Sequence, residues 1–124
     1  VVITGASPGS LAFEAAKSIA ARQPGLLVLT ARSESLLQQT RDAILTETAD
    51  LNIKLVAYDL SKQETIRKAV SEVKALNVKF DVIINSAGVM APPYALTAEG
   101  IESQFGINHI GRPPLTSIAD CTGG

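Results

Sequence analysis

The sequence predicts an α/β protein built on a doubly wound parallel sheet of about four strands in the order 3-2-1-4. Three observations carry this expectation. Short β-branched or apolar runs alternate with helical patterns along the chain, the signature of strands joined by crossover helices. One run, "LLVLT" (Leu26–Thr30), is continuously apolar, as a strand covered on both faces is. The first run leads through a glycine-rich turn straight into a helix, "VVITGASPGSLAFEAA". That order puts the first strand beside the fourth, at the switch point where such sheets bind ligands.

The elements follow in turn. Val1–Thr4 is β-branched throughout and reads as the first strand. Leu11, Ala15 and Ile19 recur at helical spacing, with Ala12, Ala16 and Ala20 beside them, until Gln23-Pro24-Gly25 stops the helix. Leu26–Thr30 is the second strand. Ser33 caps a second helix carrying Leu36, Leu37, Ile44 and Leu45, and "IKLVAY" (Ile53–Tyr58) is the third strand. Ser61 with Glu64 forms a capping box for a third helix faced by Ile66, Ala69, Val70, Val73 and Leu76. "FDVIIN" (Phe80–Asn85) is the fourth strand, and beyond Pro92-Pro93, Thr97 caps a fourth helix through Asn108. At Gly111 the pattern breaks. Pro113-Pro114 cannot continue a helix, since each proline inside one costs roughly 3 kcal/mol. Residues 1–111 are therefore expected to form one domain, and 112–124 an irregular C-terminal tail.

Composition narrows the classes. An apolar content of 46% allows a real core, and a net charge of −1 with scattered basic residues gives no reason to expect nucleic acid or an anionic membrane. One cysteine, Cys121, excludes an internal disulfide and favours a reducing compartment. No apolar run reaches the length of a membrane span. A soluble cytoplasmic protein is the default expectation. Only Val1 to Thr4 precede the first turn, however, so an N-terminal anchor or signal stays open.

The chemistry begins in the glycine loop. A turn after the first strand lies at the sheet's C-terminal edge, and the helix behind it directs free N–H groups and its positive dipole end there. Gly5 permits the turn, Gly9 lets the backbone approach a pyrophosphate, and Ser7 offers a hydroxyl. The spacing is Gly-x-x-x-Gly rather than Gly-x-Gly-x-x-Gly, and no Lys-Ser or Lys-Thr pair follows to make a triphosphate loop. A tight turn without a ligand is the alternative. After the second strand the chain reads Thr30-Ala31-Arg32-Ser33, with no acid until Glu34. An acid there would bond a ribose 2′-hydroxyl, whereas Arg32 can fork onto a 2′-phosphate and Ser33 can add a bond. Otherwise Arg32 is a solvated arginine at a helix start.

Together these stretches resemble the short-chain dehydrogenase/reductase family. Thr4-Gly5-Ala6-Ser7-Pro8-Gly9-Ser10-Leu11-Ala12 is similar to that family's glycine motif, in a form with Ser-Pro and one extra residue, Ala12 standing for the last glycine. "NSAG" (Asn85–Gly88) resembles its Asn-Asn-Ala-Gly motif, and "GVMAPPYALTAEGIESQFGINHIG" is similar to its retinol-dehydrogenase-like and fungal branch. The resemblance runs in family order from Val1 to about Gly111. It implies a Rossmann-type fold, truncated to the N-terminal part, and hydride transfer between a nicotinamide dinucleotide and an alcohol or carbonyl carbon. It implies cofactor contacts from Gly5, Ser7, Pro8, Gly9, Leu11, Arg32, Ser33, Asp59, Leu60, Asn85, Ala87 and Gly88. NADP is favoured over NAD. Asn108 matches the asparagine of the family's catalytic tetrad, whose serine, tyrosine and lysine have no counterparts in these residues.

A Tyr-x-x-x-Lys string does occur, Tyr58 to Lys62, but the motif works only on a helix, where that spacing stacks the side chains one turn apart. Tyr58 ends a strand and Lys62 follows a turn, so the string reads as a decoy. Tyr94 has no lysine near it. His109 has no second ligand at metal spacing, and Cys121 no base beside it. Asn108 is thus left in a supporting role, or as a plain helix residue. The expectation is the cofactor part of an NADP(H)-dependent oxidoreductase, a fragment that would take a small lipophilic alcohol or carbonyl substrate only when completed. A non-enzymatic dinucleotide-binding module and a non-functional remnant are the alternatives. Nothing after Phe80–Asn85 pairs its outer side, so an exposed edge and a poorly stable isolated product are expected. Homo-oligomer formation stays open for a full-length family member.

Overall fold

The strands assemble as their apolar runs dictate. The computed structural model describes residues 1–118, so Cys121 and the other residues of 119–124 lie outside the described residues. The order of elements is β1 (Val2–Thr4), α1 (Leu11–Ala20), β2 (Leu27–Ala31), α2 (Glu34–Glu47), β3 (Ile53–Ala57), α3 (Gln63–Ala75), β4 (Ile83–Asn85), α4 (Ser103–Phe105) and α5 (Pro113–Thr116). The four strands form one parallel sheet in the order β3-β2-β1-β4, as expected. The register aligns Ile3 with Leu29 and Ile84, and Thr4 with Thr30 and Asn85. Among the described residues no helix is long and apolar enough to cross a membrane.

The chain divides into two compact units: residues 1–57 with 82–87, and 58–81 with the residues from 88 onward. In the first unit, alternate strand residues Ile3, Leu27, Leu29 and Ala31 form a core with Ala12, Ala16 and Ala20 of α1 and with Leu37 and Ile44 of α2. The face of α1 that packs is its alanine stripe, while Leu11, on the same expected apolar pattern, is 86% exposed. Small side chains there let the helix axis approach the sheet. Val2, Val28 and Val56 alternate with the core residues and are also buried, so the sheet is covered on both faces, as a parallel sheet requires. Two serines cap the helices, Ser33 as the sequence suggests and Ser10 in addition. Ser10 Oγ accepts the Phe13 N–H at 3.0 Å, and Ser33 Oγ accepts that of Leu36 at 3.3 Å.

The second unit departs from expectation at three places. Ser61 does not form a capping box. Its hydroxyl donates to Asp59 Oδ1 at 2.7 Å, Lys62 becomes the cap residue of α3, and Glu99 accepts the Gln63 N–H at 2.9 Å. Thr97 does not start the fourth helix. Its N–H donates to the Ile101 carbonyl at 2.7 Å, and Leu96 bridges Glu102 antiparallel. The helix begins only after Glu102, whose carboxylate accepts the N–H groups of Gln104 at 2.8 Å and Phe105 at 2.9 Å. It then widens into a π turn, Gly106–Ile110, closed by the Gly111 N–H on the Gly106 carbonyl at 2.8 Å. Finally, the stretch expected to be irregular contains one helical turn, Pro113–Thr116. Prolines at the start of a helix lose nothing, because N–H groups there have no intrahelical acceptor.

Two measurements test this packing and capping. Leu29 is fully buried, so Leu29→Ala is expected to cost about 2–5 kcal/mol in urea unfolding. The two backbone bonds on Glu102 hold its carboxyl below the ordinary value of 4.5. A lowered folded-state value means the cap stabilises fully above the unfolded value and is lost as pH falls through the folded one. The amide shifts of Gln104 and Phe105 are expected to titrate with a midpoint below 4.5, and to stop titrating in Glu102→Gln.

Candidate functional site

In the first unit the loop after β1 is built by hydrogen bonds that force a reversal. The N–H groups of Gly5 and Ala6 both donate to the Thr30 carbonyl, at 2.8 and 3.0 Å. Gly5 has φ +77°, and a Cβ there would lie 2.9 Å from Ala87 Cα. The turn therefore needs glycine for its backbone angle and for the close approach of residue 87. Thr4 Oγ1 accepts the N–H groups of Ser86 and Ala87, each at 3.0 Å, and lies 3.4 Å from the Ile84 carbonyl. One hydroxyl thus ties the end of β1 to the turn that follows β4. Ser10 closes the loop on itself by donating to the Gly5 carbonyl at 3.0 Å.

What this leaves open is a set of donors. Gly9 also has φ +77°, but nothing lies within 4 Å of a Cβ placed on it. Among the described residues, the N–H groups of Ser7, Gly9, Leu11 and Ala12 have no protein acceptor. They stand at the positive end of the ten-residue α1, in a loop without an acidic residue from Gly5 to Phe13. Ser7 is half-buried, and Pro8 and Gly9 are exposed. Such a cluster fits a phosphate. Just past β2, Arg32 is exposed and makes no hydrogen bond or ion pair with a described residue. Ser33 is committed to α2, accepting from Leu36 and sharing a 3.0 Å bond with Ser35 Oγ. Asn85, ending β4, has a buried Oδ1 without a partner, a place for a ligand donor. The first unit therefore brings together Gly5, Ser7, Pro8, Gly9, Leu11, Asn85 and Ala87 around the end of β1, with Arg32 and Ser33 after the neighbouring strand.

The second unit holds the remaining expected residues. Asp59 Oδ1 accepts from the Ser61 N–H at 2.8 Å and its hydroxyl, and the Asp59 N–H donates to Thr65 Oγ1 at 3.0 Å. Leu60 is buried, and a Cβ on Gly111 would lie 3.0 Å from Leu60 Cδ2 and its carbonyl oxygen. Asn108 sits in the π turn. Its Oδ1 accepts the Val89 N–H at 2.8 Å and its Nδ2 donates to the Val89 carbonyl at 2.6 Å. The amide thus reads the backbone of Val89 as a neighbouring strand would. A Cβ on Gly88 would come 2.9 Å from Asn108 Oδ1, so the clamp sits tight against that glycine. His109 stacks on Phe105 with ring centroids 5.0 Å apart. No metal-binding group of side chains occurs among the described residues. Tyr58 is buried beyond the end of β3, whereas Lys62 is exposed at the start of α3. They do not form a helical pair.

Sequence reasoning missed the Thr4 hydroxyl and the Asn108–Val89 clamp. Each joins residues far apart in the chain, and no local pattern marks the pairing.

Residues 1–117 match the family model described as short chain dehydrogenase. The oxidoreductase fscI of Fusarium equiseti is 34% identical over 118 residues, 94% of this chain and 46% of that protein. Human retinol dehydrogenase 13 is 31% identical over 118 residues, 95% of this chain and 35% of that protein. A short-chain dehydrogenase from Sphingobium yanoikuyae, solved in complex with NADPH, superposes with a TM-score of 0.72 at 27% identity, over 98% of this chain and 46% of that one. The chain thus spans less than half the length of the relatives it matches.

The two loop glycines separate strain from contact. An alanine in the left-handed region costs roughly 1–2 kcal/mol, and Gly5→Ala adds a clash with residue 87 that Gly9→Ala does not. Gly5→Ala is expected to lower urea stability by about 1–3 kcal/mol more than Gly9→Ala; equal losses would overturn this reading.

Proposed function

Because the chain belongs to the short-chain dehydrogenase/reductase family, we propose that its residues bind NADP(H), in preference to NAD(H), as the cofactor part of an oxidoreductase acting on an alcohol or carbonyl carbon. The observation that carries the reading is the cluster of acceptorless N–H groups at the start of α1, beside an open Gly9. It supports a pyrophosphate held by the N–H groups of Ser7, Gly9 and Leu11, with Gly5 shaping the turn and Pro8 standing between the donors. Arg32, exposed and followed by no acid until Glu34, takes the 2′-phosphate, and Ser33 mainly fixes the start of α2 beside it. Asp59 and Leu60 serve the adenine. Asn85, Ala87 and Gly88 flank the rest of the cofactor, with Asn85 Oδ1 taking a donor it otherwise lacks.

A nicotinamide dinucleotide bound there would supply hydride transfer to or from the substrate carbon. The names of relatives, a retinol dehydrogenase among them, favour a lipophilic alcohol or its carbonyl partner. Both ends of the Asn108 amide are used on Val89, so Asn108 acts as a positioning residue that holds the chain after Gly88. Proton exchange with the substrate oxygen needs an acid/base, and Tyr58 and Lys62 do not make the helical pair that would supply one: Tyr58 is buried and precedes α3, whereas Lys62 is exposed at its cap. That separation also supports the second reading, a dinucleotide-binding module without turnover of its own.

Calorimetric titration of the 124-residue chain tests the proposal. NADPH is expected to bind more tightly than NADH. Arg32→Ala is expected to weaken NADPH by about 10–100-fold, the worth of a charge-assisted bond, and to leave NADH within about twofold. No binding, or equal loss for both, would overturn it. With ketones or aldehydes added, NADPH is expected to persist; steady consumption unaffected by Asn108→Ala would contradict the roles assigned to Asn108, Tyr58 and Lys62.

A further inference from the structure

The structure assigns Thr40 of α2 as a positioning residue for the phosphate loop, one that holds the Ala6–Ser7 peptide so that the Ser7 N–H faces a bound phosphate. The inference rests on the dinucleotide reading above. Thr40 lies between Leu37 and Ile44 on the buried face of α2, and all three are essentially inaccessible. Packing alone asks for an apolar residue there. A helical threonine usually returns its hydroxyl to its own helix. Here Oγ1 instead donates to the Ala6 carbonyl at 2.7 Å, across 34 residues of sequence.

That bond completes a clamp on a fully buried residue. The Ala6 N–H is held by the Thr30 carbonyl at 3.0 Å, and the Ala6 carbonyl by Thr40. A buried carbonyl stripped of its donor is left unsatisfied at a cost in free energy, so the peptide has reason to stay where Thr40 holds it. No peptide bond in the described chain is cis. In a planar trans peptide the carbonyl and the next N–H point in opposite directions. Fixing the Ala6 carbonyl toward α2 therefore turns the Ser7 N–H away from α2. Among the described residues the Ser7 N–H has no acceptor, and the residues after it, Pro8 and Gly9, are exposed. The hydroxyl of Thr40 thereby sets a donor it never touches.

The experiment is an NADPH titration of the 15N-labelled chain, read at the Ser7 amide and as a dissociation constant. In the unsubstituted chain the Ser7 amide is expected to shift on binding. Thr40→Val keeps the shape without the hydroxyl. It is expected to weaken NADPH by about tenfold and to remove the Ser7 shift, while Thr40→Ser restores both to within about twofold. A structural role alone would lower stability in both variants and leave the Ser7 response intact. A folded Thr40→Val that binds with unchanged affinity and an unchanged Ser7 shift overturns the inference. Should Thr40→Val not fold, the unsubstituted chain decides: NADPH binding with a silent Ser7 amide overturns the inference and leaves the dinucleotide reading standing. Absence of NADPH binding brings down both.

Discussion

The carbonyl of Thr30 accepts two N–H groups from the loop after β1, those of Gly5 and Ala6, and the arrangement of the first unit depends on it. A parallel sheet buried on both faces cannot leave the end of a central strand unpaired, because each orphaned backbone group costs free energy. Thr30 meets that demand for β1 and in doing so forces the chain to reverse immediately. Only a residue tolerant of φ +77° and free of a Cβ fits at Gly5, because residue 87 already occupies the space. From that one constraint follow the direction of the loop, the place where α1 starts and the side on which its free N–H groups collect.

Around this point, threonine and serine hydroxyls take over a task usually left to backbone ladders. Thr4 holds the turn after β4, Ser10 holds the loop to its own start, and Thr40 holds Ala6. Each bond satisfies a backbone group of these loops, and among the described residues the N–H groups of Ser7, Gly9, Leu11 and Ala12 are left without a protein acceptor. A protein that binds an anion through its backbone gains from this division: the loop is rigid where it meets the core and open where it meets ligand.

The second unit uses the same device where regular structure fails. Between residues 88 and 111 the chain has prolines, few apolar anchors and only one short helix. Glu102 caps that helix through its carboxylate, and Asn108 replaces a missing strand partner for Val89. The expectation of a continuous helix from Thr97 to Asn108 failed for this reason. The apolar spacing was helical, but Thr97 is drawn into a backbone bond with Ile101 that precedes the helix, and the turn at Gly106 widens to five residues. The capping box at Ser61 failed similarly, because Asp59 offers its hydroxyl a charged acceptor two residues away.

The sequence by itself determined the sheet. Continuous apolar runs such as Leu27–Ala31 read as strands buried on both faces, and their alternation with helical patterns predicts a doubly wound sheet, whose common order 3-2-1-4 the structure adopts. It also marked the glycine loop, since Gly5 and Gly9, both of positive φ, stand out in the sequence as turn residues, whereas the space that residue 87 takes beside Gly5 does not. The start of helix α4, the use of both ends of the Asn108 amide and the attachment of Ala6 to Thr40 were decided only in the tertiary structure. Each depends on a side chain meeting a backbone group whose partner is unsettled until the chain has folded. Residue pattern reports which surfaces must be buried; it does not report which buried carbonyl will remain for a hydroxyl to satisfy.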